Sequence, residues 1–91
     1  NVNFNLPPAI VQPQFVSRPA LKYRGVMVRN AGPGAHLTMT ANGADVIQNG
    51  AALSSAGGTI NTVTQGTVWE ISCLFAGIWF VTYSNGVIVL T

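Results

Sequence analysis

Charge is what this sequence has least of. Of 91 residues, four are Lys or Arg and two are Asp or Glu, 7% in all, against roughly 25% in an ordinary soluble domain. Apolar residues reach 48%. A free monomer so composed has a poorly solvated, sticky surface, and the centres of protein interfaces are depleted of charge in the same way. The composition therefore implies a surface largely covered by partner chains. The alternative is a monomer kept soluble by its many Asn, Gln, Ser and Thr side chains.

Cysteine is nearly absent as well. Cys73 stands alone, so no internal disulfide is possible and synthesis in a reducing cytoplasm is the simpler expectation. Long apolar runs are missing, because Asn, Gln, Gly, Pro and Thr interrupt every stretch. None approaches the roughly 18–20 residues of a membrane-spanning helix. No basic stretch leading into an apolar one marks a signal segment. The expectation is a chain without a membrane role.

Groups that do chemistry are equally scarce. Asp45 and Glu70 are the only carboxylates, one beside a turn signal and one in mid-strand, and nothing in their spacing brings them together as an acid–base pair. His36 and Cys73 are single. No local signature makes them base and nucleophile, and one of each cannot hold zinc within one chain. Cys73 shares a strand face with Trp69, Ile71 and Phe75 and reads as a small buried hydrophobe. Gly32-Pro33-Gly34 lacks the following helix and the Lys-Ser/Thr pair of a phosphate loop, and a turn accounts for it. The expectation is no enzyme, no cofactor and no metal.

What the sequence does contain divides near residue 22. Pro7, Pro8, Pro13 and Pro19 exclude a helix or a central strand from the first part. Ahead of them Val2, Phe4 and Leu6 alternate with asparagines, the pattern of a strand with one apolar face. Such a strand can close a sheet edge in its own domain or add to a neighbour's sheet. Ile10, Val11, Phe15 and Val16 also need cover, which favours an extended arm, residues 1–22, crossing onto another subunit.

From Tyr23 onward, a β domain of residues 23–91 is expected. Asn42-Gly43, Asn49-Gly50, Gly57-Gly58, Gln65-Gly66, Ala76-Gly77 and Asn85-Gly86 punctuate it every seven to eleven residues, the rhythm of a small antiparallel β-sandwich or barrel. Strands are predicted over Arg24–Arg29, His36–Thr40, Ala44–Gln48, Thr59–Thr64, Thr67–Phe75, Ile78–Tyr83 and Val87–Leu90. The strand from Ile78 is apolar on both faces, with Trp79, Val81 and Tyr83 on one of them as a candidate subunit interface. All the basic side chains, Arg18, Lys22, Arg24 and Arg29, fall between residues 18 and 29 around Tyr23. Four charges give only weak, salt-sensitive nucleic-acid binding, so docking on an acidic protein surface is favoured. Val2, Phe4, Leu6 and Phe15, with these four basic residues, form the candidate partner-binding set.

The stretch from Val26 to Tyr83 resembles a small β module of tailed-phage virion proteins, found in tail fibres, spikes and head-decoration or head-fibre proteins. The matching residues are Val28-Arg29-Asn30, Leu37-Thr38-Met39, Ile47 to Gly50, Gly66-Thr67-Val68, Ile71, Gly77 and Trp79. Two departures stand out: Ala76 replaces the acidic residue often found before the last hairpin glycine, and Gly77 to Trp79 is one residue tighter than usual. The resemblance covers about two thirds of the chain and none of residues 1–22. It implies a structural virion component made in the host cytoplasm. Such a component would decorate or cement the capsid, often as a homotrimer, with a major capsid or other virion protein as partner. The alternative it implies is a receptor- or carbohydrate-binding fibre module, for which Trp69, Trp79 and Tyr83 would be the sugar platforms.

Overall fold

The computed structural model describes residues 2–9, 22–27 and 34–91, and among these the chain is all β. The strands are β1 (Val2–Asn5), β2 (Lys22–Val26), β3 (Leu37–Thr40), β4 (Val46–Asn49), β5 (Ala52–Leu53), β6 (Thr59–Thr62), β7 (Val68–Phe75), β8 (Ile78–Asn85) and β9 (Val89–Leu90). They form two sheets, in the orders β1-β3-β6-β9 and β2-β7-β8-β4-β5. One face of each meets a common core: Met39 and Ile60 come from the first sheet, Ile47, Trp69, Ile71, Cys73 and Trp79 from the second. At each of the turn pairs read from the sequence a glycine takes positive φ, namely Gly43, Gly50, Gly57, Gly66, Gly77 and Gly86. Most side chains pay a steric penalty there and glycine does not.

Three expectations are corrected. The sheets are mixed rather than antiparallel, because β1 runs parallel to β3 and β4 parallel to β8. Both pairs are joined by long connections, which leave strand direction free where a tight hairpin would fix it. The short β5 went unpredicted, and β2 starts at Lys22 rather than Arg24.

The third correction concerns the N-terminal strand. Residues 2–9 are part of the domain itself. β1 closes the edge of its own sheet, with Val2 opposite Leu37 and Phe4 opposite Met39. Leu6 and Ala9, 2% and 3% exposed, lie in the core. Leu6 is therefore a core residue and not a partner contact. Beyond it, Ala9 is clamped at both ends of its peptide: its N–H donates to Asp45 Oδ2 at 2.8 Å, and its carbonyl accepts from Gly77 N–H at 2.8 Å. Asp45→Ala removes a charge-assisted bond of about 1.5–3 kcal/mol. It is expected to speed amide exchange at Ala9 and proteolysis within residues 2–9. Asp45→Asn, which keeps an acceptor, is expected to do so less. Equal exchange in wild type and Asp45→Ala would contradict the clamp.

Candidate functional site

The two sheets end side by side at their β1 and β2 edges, and there the sandwich stays open. A cleft of about 380 Å³ is lined by Val2 and Phe4 from β1, Tyr23 and Val26 from β2, and Leu37 and Met39 from β3, with Gly25 and Arg24 completing the wall. Val2, Phe4 and Val26 remain 58%, 40% and 49% exposed, which for adjacent apolar side chains marks an unfinished surface. An aromatic series ties the cleft to the core. Phe4 and Tyr23 lie 5.4 Å apart between ring centroids, and Tyr23 meets Trp79 edge-on at 5.6 Å.

Gly25 shapes the cleft wall from inside. It stands opposite Trp69 in the β2–β7 ladder, and a Cβ there would come within 2.3 Å of the indole Cε2. The missing side chain lets the ring lie over the β2 backbone, a cross-strand glycine–aromatic arrangement.

On the outer face of the second sheet the register makes a row: Arg24 opposite Glu70, and Glu70 opposite Tyr83. Lys22 Nζ approaches Glu70 Oε1 at 3.3 Å, and Arg24 Nη2 approaches Oε2 at 3.1 Å. Arg24 first, then Lys22, holds the Glu70 carboxyl below the ordinary carboxylate value, against some desolvation. The folded state thus favours ionised Glu70. The trio's contribution is fully present above the pKa of an unfolded Glu and is lost as pH falls through the lower folded value. Acidification is expected to lower the protection of the amides in residues 22–26, taken as exchange relative to the intrinsic rate at each pH, and Glu70→Gln to remove that acid dependence. An unaltered acid profile in the variant would contradict the assignment.

The structure distributes the sequence-predicted residues unevenly. Val2 and Phe4 come together with Tyr23 at the cleft, and Lys22 and Arg24 are engaged by Glu70 beside it. Phe15, Arg18 and Arg29 lie outside the described residues, as do Ile10, Val11 and Val16.

The proposed interface on β8 is dismantled in part. Trp79 is fully buried and Val81 packs against the core, so neither presents an open face. Tyr83 is 53% exposed but on the opposite side. A bulge at Thr82 sets Val81 opposite Ile71 and Tyr83 opposite Glu70. An extra residue reverses which face the following side chain takes. Val26 and Gly25 belong to the cleft and were not singled out by sequence. An unpaired apolar residue next to the basic pair is the only signal that could have found Val26.

Asp45 and Glu70 are committed to separate structural contacts. Cys73 is buried and donates to the Phe75 carbonyl at 3.3 Å, whereas His36 is exposed next to β3 in the other sheet. Burial first, and the Asp45 charge second, push the Cys73 thiol up, the reverse of what a nucleophile requires. Among the described residues no group of three His, Cys, Asp or Glu could hold a metal, and no helix is long and apolar enough to cross a membrane. No protein-family model, curated protein or solved structure matches the chain.

Proposed function

We propose that this chain is a non-enzymatic structural module that packs against other protein chains, copies of itself included, as a decoration or head-fibre component of a virion. The observation that carries the packing half is the open cleft. Val2, Phe4 and Val26 lie exposed around it on a chain with only 7% charged residues. A surface of that kind is stable in water chiefly when something covers it. The Lys22–Glu70–Arg24 group beside the cleft holds two cations to one anion. It suits the acidic surface of a virion partner other than a copy of this chain, where charge sets orientation and approach more than affinity.

The virion half rests on the sequence resemblance, with Leu37-Thr38-Met39, Gly66-Thr67-Val68 and Trp79 among its matching residues. The glycan-binding alternative loses its two indole platforms, since Trp69 and Trp79 are both fully buried. The test is co-sedimentation of the labelled chain with virus particles from cultures that express it. A fixed molar ratio on the particle band is expected. Recovery of all the chain in the soluble fraction would overturn the virion reading.

A further inference from the structure

Among the described residues each sheet has two edge strands, and three of the four are guarded against pairing. β5 and β9 are two residues long, and β2 carries Lys22 and Arg24. Short length and charge are the usual protections of a sheet edge. β1 has neither charge nor proline over Val2–Asn5. Its ladder to β3 runs from Val2 N–H on the His36 carbonyl to Leu6 N–H on the Thr40 carbonyl, with Phe4 in register with Met39 between them. In a parallel pair alternate residues turn their main-chain groups the other way. The N–H and C=O of Asn3 and Asn5 therefore face outward along an uncharged edge.

We propose that β1 pairs antiparallel with β1 of a second copy about a two-fold axis, with Phe4 beside Phe4 of that copy. This rests on reading the chain as self-associating and names the contact. The outward groups fix the register. Asn3 bonds Asn5 of the second copy and Asn5 bonds Asn3, giving four main-chain hydrogen bonds, and Phe4 falls at the close, non-bonded position on the axis. The strand is its own complement, apolar opposite apolar and Asn opposite Asn, with no charge to repel a copy or to select an acidic or basic stranger. The same axis brings the two clefts together, covering Val2 and Phe4. A two-fold contact of this kind makes a dimer or joins larger rings in pairs.

The test is native mass measurement of Phe4→Lys and Phe4→Glu, separately and mixed, with circular dichroism to verify folding. Each variant alone is expected to associate at least tenfold more weakly than wild type, and the mixture to recover a dimer containing one copy of each. Because Phe4 also touches Tyr23, a second variant guards against misfolding. Phe4→Cys in a Cys73→Ala background is expected to cross-link two copies under mild oxidation, since facing non-bonded residues sit about 4.5 Å apart between Cα atoms, within disulfide reach. Absence of the cross-link overturns the pairing, and so does a wild-type dimer indifferent to both charged variants. Assemblies that persist in those variants leave the packing function standing and remove β1 as the contact. A wild-type chain that stays monomeric removes both.

Discussion

Trp79→Ala is expected to lower stability by about 3–5 kcal/mol, the range for emptying a fully buried aromatic site. Trp79 is 0% exposed, stands opposite Ile47 across the parallel β4–β8 pair, and receives the edge of Tyr23 at 5.6 Å. Removing it opens a cavity where the two sheets meet and cuts the aromatic series leading to Phe4. A domain of this size has a total stability of only about 5–14 kcal/mol, so the variant stands near its threshold. The indole N–H of Trp79 has no hydrogen-bond partner among the described residues. Trp79→Phe therefore removes no bond to a described residue and keeps most of the ring packing, and its cost is expected to be well under half that of alanine. Urea titration of both variants checks the ratio. Equal costs would mean that the indole donor, rather than ring packing, holds the site.

Gly25→Val is the second large effect, and it acts by addition. The ideal Cβ position lies 2.3 Å from Trp69 Cε2 and 2.4 Å from Cζ2, so the ring or the strand has to move. Overpacking of a tight core costs about 1–3 kcal/mol, occasionally more. Trp69 is fully buried and has no open side to retreat to, which places Gly25→Val at about 3 kcal/mol and Gly25→Ala lower in the same range. If the clash is with the ring, Gly25→Ala in a Trp69→Leu background should cost less than in wild type. Couplings of about 0.5–3 kcal/mol are usual for residues in contact. Strict additivity in denaturant would contradict the contact.

The β class and the turn positions were legible because they are written locally. Alternation along Trp69, Ile71 and Cys73 gave the buried face of β7, and glycines at Asn42-Gly43 or Asn85-Gly86 supplied the positive φ that the turns use. Strand direction was not local. Nothing in Val2–Asn5 distinguishes a parallel partner from an antiparallel one, or its own sheet from a neighbour's. That choice is made by Leu6, Ala9 and the Asp45 carboxylate, 36 residues from Ala9 in the chain. Tyr83 was placed on the wrong face for a similar reason. The bulge at Thr82 depends on the ladder to β7 and leaves no trace in period-two alternation. Of the candidate site, Val2, Phe4, Lys22 and Arg24 could be read as a stripe and a charge cluster. Their meeting at one cleft depends on how the edges of two sheets are brought together.

The central claim is that this surface exists to be covered by protein, and the mass of the wild-type chain in solution tests it most directly. Sedimentation equilibrium over a wide concentration range is predicted to show association beyond the 9.5 kDa chain. Because the contacts are apolar and main-chain rather than ionic, that association should change little between low and high salt. A single 9.5 kDa species at every concentration and salt condition would contradict the account.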